Sequence, residues 1–238
     1  MFESDVARRR IGTFAWVMAW VGLVVGQLHA LARHRTVDGK ADLDLWSTRV
    51  WAEPAGRALR PLLDWGSPDL VYVTYGKIWL PVFIALTVCA FVVHRDRRAV
   101  GFEKWAWRIA LTGYVWACVA VLGDYWTQWT SHANALLDIA FLVGLPGVLL
   151  VMVGSTLLGI ALLRNGFVPR ASAWLLTVTL PFAFVITMVT SMGSVALPVM
   201  FAFALAGRRL RQLPPAEAYR TSRSGVIGRS RTRRPTAL

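Results

Sequence analysis

Five ionisable side chains lie in or beside long apolar runs: His29, Lys77, Asp124, His132 and Asp138. Ionisable groups near the hydrophobic region of a membrane protein are rare, and they commonly mark a functional site. The order of the apolar runs along the chain predicts that all five side chains lie at a similar depth. We therefore expect one polar cluster at one rim of a helical bundle.

Three interpretations of this polar cluster stay open. In the structural one, Lys77 pairs with Asp124 or Asp138, and the histidines form hydrogen bonds at a hydrated interface. A second is a metal site, in which His29, His132, Asp124 and Asp138 supply the mixed nitrogen and oxygen ligands that suit zinc or another divalent ion. A third is a substrate or proton path through Asp138 and His29. The structural interpretation is favoured, because the chain lacks HxxxH and HExxH spacing and no deeper charged residue continues a path.

Sequence motifs for other chemistries are missing from the chain. It contains no GxSxG nucleophile elbow, no phosphate-binding Walker loop and no dinucleotide fingerprint in context. Cys89 and Cys118 both fall inside apolar runs, without the CxxC spacing of a redox or metal site. Membrane haem needs histidines at mid-depth, and none is expected there. We therefore expect no cofactor, and the sequence identifies no catalytic residue.

The longest apolar run covers residues 136–163, in which Asp138 carries the only charge before Arg164 ends the run. A helix needs roughly 20 apolar residues to cross the hydrocarbon core of a bilayer, and this run exceeds that length. The whole chain is 56% hydrophobic and 16% charged, with a mean hydropathy of +0.50. Both observations predict a polytopic membrane protein rather than a soluble domain.

Similar runs recur along the chain and predict an all-α fold, a bundle of six transmembrane helices. Pro181 and Pro198 are expected in the middles of the last two helices. Together the spans form a transmembrane helical domain, residues 1–207. The predicted spans cover residues 11–32, 70–93, 107–126, 136–163, 173–190 and 194–207.

The first apolar run has two interpretations. Ala30, Leu31 and Ala32 fit the small-x-small pattern of a cleaved signal peptide. However, the run is longer than a usual signal core and carries two tryptophans, so a retained first helix is favoured.

Residues 33–69 form the longest polar segment between spans and are expected to be a loop on the outer face. Charged residues at helical spacing predict the ion pairs Arg49–Glu53, Glu53–Arg57 and Arg60–Asp64 on one face of a helix. Apolar side chains occupy the other face, so we predict an amphipathic helix on the membrane surface, broken or bent at its two prolines.

Charge distribution predicts the orientation. The segment 208–238 holds nine arginines and a single acid, Glu217. It lacks the apolar residues needed to fold alone, which predicts a disordered basic cytoplasmic tail that contacts anionic headgroups. The other basic loops alternate with balanced ones, so both ends are expected in the cytoplasm. The net charge of +13 therefore indicates membrane topology, and no nucleic-acid partner is expected.

The sequence favours a non-catalytic integral membrane protein of the cytoplasmic membrane, acting as an accessory or assembly component with a membrane-protein partner. Arginine far outnumbers lysine, which points to a bacterial source. The alternative function is a small-solute transporter or a metal-dependent membrane enzyme that uses the outer polar cluster.

Overall fold

A computed structural model of the protein describes residues 5–128, 135–190 and 192–212, and within these ranges it contains helices but no strand. The prediction of an all-α fold is therefore confirmed for this part of the chain. The α-helices are α1 Asp5–Arg33, α2 Trp46–Ala58, α3 Arg60–Leu63, α4 Pro68–Gly76, α5 Trp79–Arg97, α6 Gly101–Val121, α7 Ala135–Arg164, α8 Arg170–Thr177, α9 Thr179–Thr187 and α10 Leu197–Gln212. Short 3-10 helices cover Asp38–Asp44 and Met192–Ala196, and a π-helical turn covers Leu122–Trp126.

Four helical segments are long and apolar enough to cross a membrane: Asp5–Arg33, Pro68–Arg97, Gly101–Trp126 and Leu142–Arg164. The helices α8 and α9 meet at a bend of 52°, and if they form one span together, the number of candidate spans rises to five. The last helix, α10, has 16 residues, so it extends about 24 Å, less than the roughly 30 Å of a hydrocarbon core. The described residues thus supply four or five candidate spans, against the six predicted.

Proline positions explain why the last two predicted spans differ from the structure. Pro181 lies in the first turn of α9 and Pro198 is the second residue of α10, so neither lies in the middle of a helix. Proline is tolerated at these positions because the first backbone N–H groups of a helix need no partner within it. The predicted fifth span is therefore divided into α8 and α9, and the sixth begins as a 3-10 helix.

The polar segment after α1 also differs in detail from its prediction. Pro54 lies inside α2 without ending it, and the break falls at Leu59, between α2 and α3. The Glu53–Arg57 and Arg60–Asp64 ion pairs form as predicted. Arg49 instead donates to the backbone carbonyl of Asp44, so the predicted Arg49–Glu53 pair is wrong.

Residues 38–64, which we call the platform, lie across one end of the bundle. Trp51 Nε1 donates to the carbonyl of Val189, 2.6 Å away, just beyond α9. Arg33 Nε at the end of α1 donates to Asp42 Oδ2 at 2.8 Å. An indole and a guanidinium group therefore fasten the platform to two different helices.

The opposite end of the bundle collects basic residues. Arg8 near the start of α1 pairs with Asp96 at the end of α5, and Arg209 of α10 donates to the carbonyl of Val168. The first contact joins the start of α1 to the end of α5, and the second joins α10 to the connection between α7 and α8. We call this the arginine-rich end; its basic residues include Arg8, Arg9, Arg10, Arg95, Arg97, Arg98, Lys104, Arg108, Arg164, Arg170, Arg208 and Arg209.

Helices α1 and α10 touch through their backbones. A Cβ atom added at Gly12 would lie 2.2 Å from the carbonyl oxygen of Gly207, far inside contact distance. Small residues at such crossings let helices approach closely, which holds membrane helices together by van der Waals packing. The last helix is thereby fixed against the first, and the bundle closes on itself.

We predict that Gly12→Ala destabilises the bundle by about 1–3 kcal/mol, because the added methyl group must push two backbones apart. Gly144→Ala is the matched control, since its added Cβ would meet only Ala120 Cβ at an ordinary 3.5 Å. Thermal unfolding of both variants in the same detergent measures the difference. Equal melting temperatures for the two variants would contradict the close crossing.

Candidate functional site

His29 lies at the centre of a buried group of rings near the platform end. Its side chain is 2% exposed, and its ring stacks on Tyr72 with centroids 4.5 Å apart and planes 15° from parallel. Tyr125 meets the imidazole edge-on at 5.2 Å, and Trp79 Nε1 donates to His29 Nδ1 at 3.2 Å. We call His29, Tyr72, Trp79 and Tyr125 the aromatic cluster.

The two tyrosines of the aromatic cluster join separate helices. Their hydroxyl oxygens lie 3.2 Å apart, within hydrogen-bonding distance. Tyr125 reaches this position because Gly76 leaves room for it: a Cβ there would lie 2.1 Å from the tyrosine ring. Arg33 and Asp124 both act electrostatically on Tyr72, so charged groups border the cluster.

A break between α4 and α5 places Trp79 against His29. Residues 77 and 78 interrupt the helix, and Trp126 Nε1 donates to the Lys77 carbonyl at 3.1 Å. The break separates the helix that carries Tyr72 from the helix that carries Trp79. Three helices and one π-helical turn therefore converge on a single imidazole.

The five residues predicted to form the polar rim have different outcomes. His29 lies in the aromatic cluster, Lys77 at the break between α4 and α5, and Asp124 in the π-helical turn beside Tyr125. His132 lies outside the described residues, and the side chain of Asp138 is not described. The convergence of all five on one site therefore stays a prediction.

Metal ligation was one interpretation of the same residues. Within the described ranges, no three His, Cys, Asp or Glu side chains are grouped closely enough to hold a metal ion. Two of the four predicted ligands, His132 and Asp138, are not covered by this observation. The metal interpretation and the transport interpretation both stay hypotheses.

The aromatic cluster is buried inside the bundle. Its hydrogen bonds join different parts of the bundle, and such bonds help to fix helix positions in membrane proteins. A neutral imidazole that accepts a hydrogen bond and stacks on a phenol ring is suited to this packing role.

A second polar cluster, which the sequence analysis did not find, lies at the arginine-rich end. Glu103 is 4% exposed, and Arg97 donates to both of its oxygens at 3.0 and 3.1 Å. Trp107 Nε1 donates to Oε1 at 3.3 Å and Asn165 Nδ2 to Oε2 at 2.6 Å. We call these four residues the glutamate cluster.

The glutamate cluster joins two helices and one connection at the arginine-rich end. Arg97 ends α5, Glu103 and Trp107 lie on α6, and Asn165 follows α7. A buried carboxylate is tolerated only when it is paired and hydrogen-bonded, and here four donor contacts surround it. The sequence contained one indication of this cluster: Glu103 is an acidic residue in the first turn of α6, directly after a basic loop.

No family model, no curated protein and no solved structure matches this chain. Any functional argument must therefore come from the residues themselves.

We expect Glu103→Gln to destabilise the protein by about 1.5–3 kcal/mol, because hydrogen bonds to a charged group are lost and Arg97 keeps no carboxylate. Glu53→Gln is the control, since the Glu53 side chain is 47% exposed and substitutions at exposed sites typically change stability by less than about 0.5 kcal/mol. Chemical unfolding in detergent micelles compares the two. A Glu103→Gln variant as stable as the control would show that the glutamate cluster contributes nothing to the fold.

Proposed function

We propose that this chain is an integral membrane protein that crosses the bilayer six times and acts as an accessory or assembly component. In this proposal the platform faces outward and the arginine-rich end, together with both termini, faces the cytoplasm. The platform contacts a partner membrane protein.

Charge separation supports the orientation. Basic residues crowd one end of the bundle, whereas the platform carries acids and bases in similar number. Short cytoplasmic loops carry excess lysine and arginine, because translocating them across the membrane is disfavoured. In this topology α8 and α9 together form the fifth crossing. The sixth is formed by α10 and the 3-10 helix before it, so the C-terminal end of α10 lies at the arginine-rich end. The basic tail 208–238, of which residues 213–238 lie outside the described part of the chain, would then contact anionic headgroups.

One observation carries the functional proposal: the platform exposes large apolar side chains to its surroundings. The Trp46 side chain is 76% exposed, and Leu45 and Val50 are at least half exposed. Trp46 and Val50 are four residues apart in α2, so they lie on one helix face. We call Leu45, Trp46 and Val50 the apolar patch.

The surroundings of the apolar patch favour a helical membrane protein as its partner. Thr48 and Ala52, on another face of α2, are already buried. Charged side chains flank the patch, and a tryptophan within a polar rim is typical of the residues that dominate protein interfaces. A partner helix with an apolar stripe would cover Trp46 and Val50 together.

We predict that a photoreactive amino acid at position 46 forms an adduct of one defined protein mass in intact membranes. Val50→Arg should abolish that adduct, because it places a charge in the middle of the patch. Position 105 is the control, since Trp105 is 61% exposed but lies at the arginine-rich end. Lipid adducts only, or the same products from both positions, would contradict a protein partner at the platform.

A further inference from the structure

A cleft of about 700 Å³ opens between the end of α1 and the platform. It is separate from the aromatic cluster and from the apolar patch. Half of the residues that line it carry charged or titratable side chains, which is unusual beside a bundle built from apolar helices. These residues are His34, Arg35, Lys40, Glu53, Arg57, Arg60 and Asp64.

Positive charge exceeds negative charge in the cleft. Arg35 and Arg60 share one carboxylate, that of Asp64, with Arg60 Nε 2.7 Å from Oδ2. Lys40 makes no ion pair with any described residue. Because Glu53 balances Arg57 at 3.8 Å, the excess is carried by Lys40 and by the two guanidinium groups on Asp64.

Asp64 positions the two arginines of the cleft. The hydrogen bond from Arg60, with a further contribution from Arg35, lowers the pKa of Asp64 below its ordinary value. The carboxylate therefore stays ionised at neutral pH and holds both guanidinium groups over the cleft. Guanidinium groups match the oxygen geometry of phosphate through paired hydrogen bonds, so two of them held side by side favour such a ligand.

His34 is a buried polar residue beside the cleft. The residue is 6% exposed, and both of its ring nitrogens are enclosed by protein. The nearest carboxylate oxygen, Asp42 Oδ2, is 4.0 Å from Nδ1. Burial lowers the pKa of His34, so the ring is neutral at pH 7 and adds no charge to the cleft.

We propose that this cleft is a binding site for a phosphate-bearing anion, held by Lys40, Arg35 and Arg60. The cleft is larger than inorganic phosphate requires, so a phosphate ester with a polar substituent also fits. Two sources share this chemistry: the headgroup of an anionic phospholipid, and a soluble phosphate compound. The site does not depend on the partner proposed for the platform.

The test measures binding to the purified full chain in a neutral detergent. Inorganic phosphate and a short-chain phosphatidylglycerol are titrated separately, with a short-chain phosphatidylcholine as the zwitterionic comparison. Lys40→Gln should raise the Kd at least tenfold, because Lys40 contributes charge without supporting any ion pair. Arg49→Gln, on the same platform but outside the cleft, should leave the Kd within twofold.

If both anions bind, the site recognises the phosphate group itself. If only one binds, that result shows whether the natural ligand is a phospholipid headgroup or a soluble phosphate compound. Either result supports the site, provided that Lys40→Gln weakens the binding. No binding of either anion, or equal loss in Lys40→Gln and Arg49→Gln, overturns it.

Discussion

Hydrocarbon offers no hydrogen-bond donors or acceptors, and the arrangement of polar groups in this protein follows from that constraint. Inside the bundle several polar contacts join different helices: the Tyr114 and Ser155 hydroxyl oxygens lie 2.8 Å apart, and Ser172 donates to the Ala202 carbonyl at 2.7 Å. Apolar packing alone discriminates poorly between helix arrangements in lipid, because the tails are as apolar as the side chains. Directional polar contacts therefore specify which helices are neighbours.

The two ends of the bundle satisfy that constraint in different ways. At the platform end, imidazole, indole and phenol groups pair with one another around His29, so little net charge is buried. At the arginine-rich end, the Glu103 carboxylate collects donors from Arg97, Trp107 and Asn165. Outside the glutamate cluster, Arg9, Arg10 and Lys104 have exposed side chains that can contact water or headgroups. A nearly neutral end and a strongly basic end are the charge pattern that sets orientation in a membrane.

The sequence predicted the helices better than the sites. Continuous apolar runs are a local property, so the spans that end at Arg97 and Arg164 were found within a few residues. Contacts between residues that are distant in the chain were not predicted, because no local sequence pattern indicates that Asn165 contacts Glu103, which lies 62 positions away. His29 was singled out from the sequence, but its contacts with Tyr72 and Trp79 were not. Trp79 reaches His29 because Gly26 leaves room for the indole and because the helix breaks at Lys77, and only the packed structure shows either feature.

Opposite exposure of the two ends is the central claim, and cysteine labelling tests it most directly. In a background with Cys89→Ala and Cys118→Ala, single cysteines replace Arg57 on the platform or Lys104 at the arginine-rich end, both exposed. A membrane-impermeant maleimide is applied to intact cells, and again after the membranes are opened. The account predicts that Arg57→Cys reacts in intact cells and that Lys104→Cys reacts only after opening. Reaction of both positions under the same condition would contradict it.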